Sequence, residues 1–243
     1  MLAVAAAAAL AATLAATPTR IDPPAGAATG SVSLAADFVL KTVDAAGTET
    51  VSGALSFLPG GEICVAVKSP RLQEMHLSPR ELVIYYPDRD LAFVAHLAPP
   101  QPPPMLDALA AGLVDPASTL PAGSKLLERK RANGELLTRW RVVDGSGKEL
   151  GELRAVENRL GARSIELVDG KGQPQRQFTF GERVRVGIRT VPRTVVADYY
   201  APGGARQREE QWTLDRIARF DPQKGPVGCA KLGAQTKIQP LQW

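Results

Sequence analysis

A chain of 243 residues can hold one all-β domain with extended ends, and it is large enough to bury a sizeable core. Its formal net charge is only +4 and no aromatic-plus-basic motif accompanies it, so charge gives no case for a nucleic-acid partner. Its two cysteines, Cys64 and Cys229, stand too far apart for a metal knuckle, and no metal or cofactor motif is read elsewhere.

Residues 1–17, MLAVAAAAALAATLAAT, form a small-apolar run too short and too alanine-rich for a membrane span. The run reads as the apolar part of a secretory signal, with cleavage at Ala25-Gly26-Ala27 or near Ala15 or Ala16. A buried alanine helix is the plainer alternative. Pro18, Pro23, Pro24 and Gly26 make the following residues a flexible leader, so residues 1–29 are expected to be signal and leader.

Between residues 31 and 97, apolar side chains alternate with polar ones. Val32, Leu34, Ala36, Phe38 and Leu40 form one such row, then Gly53, Leu55 and Phe57, then Ile63, Val65 and Val67, then Leu91, Phe93, Ala95 and Leu97. Period-2 alternation means pleated strands with one face turned inward. Turn chemistry at DAAG (44–47), PGG (59–61), SP (78–79) and PD (87–88) joins them into an antiparallel meander. Cys64 alternates away from Ile63, Val65 and Val67, on the face a C-terminal tail can reach. In an oxidising compartment the even count permits a Cys64–Cys229 bridge; two free thiols are the alternative.

The proline cluster APPQPPP ends this sheet segment, because proline lacks the ladder donor. In residues 104–114, Met105, Leu109 and Leu113 recur at helical spacing behind Pro104, which predicts a short amphipathic helix. It is read either as a core cap or as a lid over the sheet. Strands resume at 124. Asn133-Gly134 predicts a tight hairpin, and DGSGK, NRLG, DGKG and APGGAR mark later turns. In ERVRVGIR, Val184, Val186 and Ile188 alternate with Arg183, Arg185 and Arg189. That arginine row would suit an anionic partner or lipid headgroups, against the plainer reading of a solvated face. About 11 strands follow from these turn signals. Residues 222–243 are expected to run along the surface.

GSGK at 145–148 lacks the remainder of a phosphate loop, and no nucleophile elbow occurs. His76 and His96 sit at polar-facing positions, and Asp88 and Asp90 beside a proline turn. None of these makes a constellation that needs catalysis, so the protein is read as no enzyme.

The order VDAAG, SGALSF, a proline turn, CVAVKSPRLQ and ELVIYYPD resembles the periplasmic outer-membrane lipoprotein carrier family, the LolA-like proteins. The resemblance covers about 70 residues closely and the later strands in pattern. It implies a mainly β fold: a single antiparallel, strongly curved open β-barrel with helices inserted as a lid or plug, spanning residues 30–221. It also implies a periplasmic carrier that shields acyl chains in an apolar half-barrel on the way to the outer membrane. Its partners would be lipoprotein acyl chains or another lipid, with inner- and outer-membrane transport proteins at either end. At the position where the resembling proteins carry a latching basic residue, this chain has Leu58. The expected cavity residues are Phe38, Leu55, Phe57, Ile63, Val65, Val67, Leu91 and Phe93 on the sheet and Met105, Leu109 and Leu113 on the helix. The competing reading is a non-catalytic β-domain that docks another envelope protein and has a filled interior.

Overall fold

The computed structural model of the protein describes residues 33–58, 62–78, 81–96, 120, 123–144, 146–187, 189–221, 229–230 and 232–241. The predicted signal and the predicted helix over 104–114 lie outside the described residues. Within them the strands are Leu34–Asp44 (β1), Gly47–Phe57 (β2), Ile63–Ser69 (β3), Gln73–Leu77 (β4), Glu81–Tyr86 (β5), Leu91–His96 (β6) and Lys125–Ala132 (β7). They continue with Glu135–Val143 (β8), Glu149–Asn158 (β9), Gly161–Val168 (β10), Pro174–Val186 (β11), Arg189–Tyr200 (β12), Arg206–Arg219 (β13) and Lys237–Pro240 (β14).

All fourteen belong to one sheet, in the order β14-β6-β5-β4-β3-β2-β1-β13-β12-β11-β10-β9-β8-β7. The chain meanders outward from β1 to β6, crosses to the far edge at β7, and meanders back to β13, which pairs with β1. The sheet is curved and open, with β14 and β7 as its two edges.

Turn residues set the hairpins. Asn133 and Gly134 both take positive φ, 53° and 78°, the twist a two-residue hairpin needs. Asp44, Asp144 and Asp169 each turn a carboxylate oxygen back onto backbone N–H groups two residues on, at 2.8–2.9 Å. Gly53 stands at a register shift between β2 and β3, where a Cβ would run into the Ala66 carbonyl.

Period-2 alternation separates two faces. Phe38 and Leu40 are buried while Val39 between them is 44% exposed. The inner face gathers one apolar cluster from both wings of the sheet, including Phe38, Leu55, Val65, Ile165, Phe178, Val195, Trp212 and Leu214. The outer face of β7 to β10 carries a ladder of ion pairs, Glu128–Arg139–Glu152–Arg154–Glu166.

Three sequence expectations are corrected here. The strand count is fourteen rather than about eleven: β4 is only five residues long, and the expected surface tail contributes β14. The sheet is not antiparallel throughout, since β14 lies parallel to β6. The arginine row stops at Arg185, because Gly187 at φ 64° turns the chain and Arg189 opens the next strand opposite Val186. Among the described residues the only helix is a single 3-10 turn, Pro87–Arg89.

Candidate functional site: the apolar inner face

Register aligns the inner side chains into rows that cross the strands. Phe93, Ile84, Met75, Val65, Leu55 and Ala36 form one row from β6 to β1. Ala95, Leu82, Leu77, Ile63, Phe57 and Leu34 form the next. On the other wing, Leu40, Trp212, Val195 and Phe180 align from β1 to β11. Cross-strand neighbours of this kind stand about 4.5–5.5 Å apart, so each row is a continuous apolar strip.

The residues expected to line a cavity fall on this face in both halves of the first meander. Phe38, Leu55, Ile63, Val65 and Val67 are buried members of the cluster, and Phe57 packs half-buried against it. Leu91 and Phe93 are half-buried on β6, next to the edge strand β14, and the Phe93 ring meets Tyr86 edge-on at 6.0 Å. Met105, Leu109 and Leu113 lie outside the described residues.

Sequence reasoning missed the second wing. Ile165, Phe178, Phe180, Val195, Ala197, Trp212 and Leu214 complete the same cluster. Their alternation is visible in ARSIELVD, QRQFTF, RTVVADYY and EEQWTLDRI, so the signal was there.

The inner face turns polar toward one end. The row after the last apolar one aligns Asp44, Arg208, Tyr199 and Arg176, and beside it Thr42 and Glu210 pair across β1 and β13. Glu210 is fully buried. Its carboxylate lies 2.5 Å from Arg208 Nη2 and accepts from Trp212 Nε1–H at 3.3 Å and Tyr199 O–H at 3.4 Å. Arg208 also stands over the Tyr199 ring at 5.9 Å. Burial pushes the Glu210 carboxyl up, and these partners offset it only in part. The inner face is thus amphipathic along the strands: oily over most of its length, with a compact polar group at the β12–β13 hairpin end.

The outer face is different in kind. Arg139 grips Glu152 through Nε and Nη2 at 2.8 and 2.9 Å, and with Arg154 it holds that carboxyl down to about 2. Clefts of about 480 and 380 Å³ open on this side, lined by Ser164, Val156, Arg163 and Thr179 in one and by Arg139, Arg154 and Glu166 in the other. Arg183 spends its guanidinium on the carbonyls of Leu160 and Ala162, so it serves the β9–β10 turn. Asp88 pairs with Arg71 at 2.8 Å, and Asp90 accepts from Tyr85 and Thr236. His96 stands 3.6 Å from Glu81.

On the outer side of the first wing, Cys64 is bridged to Cys229. The C-terminal segment continues along the edge: Lys237 N–H donates to Asp90 O at 3.0 Å and Leu241 N–H to Val94 O at 2.8 Å.

No protein-family profile and no curated protein matches the chain. Solved structures match it in fold. An outer-membrane lipoprotein-sorting protein domain from Vibrio parahaemolyticus superposes with a TM-score of 0.52 at 11% identity, over 77% of this chain and 85% of that one. A LolA superfamily protein from Nitrosomonas europaea does so with a TM-score of 0.51 at 12% identity, over 79% of this chain and 89% of that one. A DUF1329 family protein from Desulfovibrio piger gives 0.53 at 9% identity, over 83% and 89%. The architecture they share with this chain defines its class: the fold is LolA-like.

Proposed function

We propose that this protein is an exported, non-catalytic lipid-binding carrier of the cell envelope. In this reading its inner face shields the acyl chains of a lipoprotein or another lipid as they cross the periplasm. The observation that carries it is the unbroken apolar face built by neighbouring strands of an open sheet. Such a wall of Val, Leu, Ile and Phe gains about 0.8 kcal/mol for each methylene it takes from water. Similarity of fold to a lipoprotein-sorting domain supports the same reading. Delivery to the outer membrane, and the membrane-bound partners it would need, extend the proposal beyond the inner face itself.

A second reading is favoured by the burial of Leu55, Val65, Val195 and Ala197, each at 0% exposure. It is a module with a filled interior that docks another envelope protein. Titration with a fluorescent fatty-acyl probe, together with native mass spectrometry of protein from an envelope fraction, separates the two. The carrier binds the probe saturably and brings lipid with it. Absence of saturable acyl binding by the parent protein ends the carrier reading.

A further inference from the structure

Cys64 and His76 are direct partners across the β3–β4 ladder, on the outer face of the sheet. Cys229 reaches them from the C-terminal segment, 165 residues further on, with its Cα 4.6 Å from that of Cys64. The two sulfurs and a His76 ring nitrogen all lie within 4.8 Å of one another. Glu62 Oε2 stands 3.3 Å from His76 Nε2. Cys64 is fully buried, whereas His76 and Cys229 are half-buried and can be reached from solvent. Positions 62, 64, 76 and 229 form no motif in the sequence; strand pairing and the return of the C-terminal segment bring them together.

We propose that reduction of the Cys64–Cys229 bridge turns this cluster into a site for a thiophilic cation of the zinc class, held by both thiolates and the His76 imidazole. Tetrahedral zinc takes sulfur at about 2.3 Å and nitrogen at about 2.0–2.1 Å, which sets ligand atoms roughly 3.4–3.8 Å apart. Once the bridge is reduced the two sulfurs part from bonding distance to that spacing, while the His76 ring nitrogen, already within 4.8 Å of both, needs only a small closing movement. Two thiolates and one imidazole select a soft or borderline metal over magnesium or calcium. The nearby Glu62 carboxylate supports the ring, as carboxylates commonly do behind ligating histidines.

The chemistry balances. The bridge takes two electrons and two protons from a dithiol reductant, which leaves as its own disulfide. The two thiols then give up their protons as the cation binds. The bridge and the metal site are therefore exclusive states of one cluster, and each ties the C-terminal segment, with its strand β14, to β3. The inference is independent of the lipid-binding reading.

The test uses the full chain, oxidised or reduced with a phosphine that is then removed, titrated with Co²⁺ and then Zn²⁺. The reduced protein is expected to bind a single Co²⁺ with thiolate-to-metal charge-transfer absorption, and to yield it to Zn²⁺. His76→Ala removes a direct ligand and should weaken affinity by at least the roughly tenfold that loss of an outer-shell partner alone costs. The oxidised protein and Cys229→Ser should show no two-thiolate band. If the reduced chain unfolds by itself, recovery of its β-sheet circular dichroism on adding Zn²⁺, in the parent but not in His76→Ala, supports the site. No charge-transfer band and no Zn²⁺-dependent refolding in the reduced parent overturns the proposal. Equal affinity in His76→Ala, or equal binding by the oxidised protein, does so as well.

Discussion

The Phe38 ring packs against the Trp212 ring, centroids 5.4 Å apart and planes tilted by 42°, although the two residues stand near opposite ends of the described chain. Phe38 belongs to β1 and Trp212 to β13, and those strands are where the outward and returning meanders meet. Contacts of such sequence separation cost loop-closure entropy to form, so the rings that reward the closure matter to the whole sheet. Phe38→Ala should cost about 3–5 kcal/mol, the range for truncating a buried phenylalanine. Urea denaturation of the parent and the variant reads it. A loss under about 1 kcal/mol would mean that the seam between the meanders is held elsewhere.

Gly53 is the cross-strand partner of Phe38, and the ring lies over the place where its side chain would be. A Cβ there meets the Ala66 carbonyl on one side and the Phe38 ring on the other. Relief requires backbone movement, so Gly53→Ala should destabilise by about 1–3 kcal/mol, as overpacking does. Gly134, with open space around it, tests a different cause: its φ of 78° is the constraint. Gly53→Ala and Gly134→Ala should both lower the thermal midpoint, and Phe38→Leu should leave the Gly53→Ala loss largely in place, because the Ala66 backbone carbonyl is the nearer obstacle. Full rescue by Phe38→Leu would mean that the ring, and not the carbonyl, is what the new Cβ meets.

The first meander was legible because each of its strands alternates cleanly and its turns carry Asp, Gly and Pro at the needed places. Cys64 was placed on the outer face by alternation alone, and the structure brings Cys229 to that side. The second wing was legible in pattern but not in role, since nothing in EEQWTLDRI says that Trp212 and Leu214 share a face with Leu55. That assignment depends on β13 pairing with β1, a long-range choice that local periodicity does not record. β4 escaped because five residues are too few for alternation to stand out, and β14 because its four residues are all exposed. Gly181 sits mid-strand beside Thr194, a local breaker held in the ladder by the pairing around it. The polar group around Glu210 left no sequence signal, for a charged residue in an alternating strand reads as outward-facing until its register is known.

Glu210 makes a prediction about pH. Its folded-state carboxyl is raised above the ordinary value of 4.5, chiefly by burial, with Arg208, Trp212 and Tyr199 pulling the other way. A raised acid binds its proton more tightly folded than unfolded. Stability from this group is therefore complete below pH 4.5 and is lost as pH rises from there toward the folded value. Glu210→Gln removes the titration. Denaturation midpoints measured at a series of pH values from 4.5 upward should slope down more steeply in the parent than in the variant. Parallel slopes would mean that Glu210 ionises in the folded protein as easily as in the unfolded one.

Trp212 offers the sharpest separation between a loaded inner face and a filled one. It is 1% exposed and sits between the apolar rows and the Glu210 group, at the level where an acyl chain lying along the strands would pass. Trp140 is half-buried on β8, and Trp243 lies beyond the described residues, so Trp140→Phe with Trp243→Phe leaves Trp212 as the only indole emitter. Bromine on an acyl chain quenches indole emission only near contact. A brominated fatty acid should therefore quench Trp212 saturably, while its unbrominated counterpart of equal length competes without quenching. A filled interior gives a different result: acyl chains that bind elsewhere on the protein leave Trp212 emission unchanged. The polar group adds a second reading from the same experiment. If the carboxyl head lies toward Arg208 and Glu210, bromine placed near the head should quench more strongly than bromine at the chain end. If the chain runs the other way, the order reverses. If neither position quenches, the inner face of this sheet is a core and the carrier reading fails.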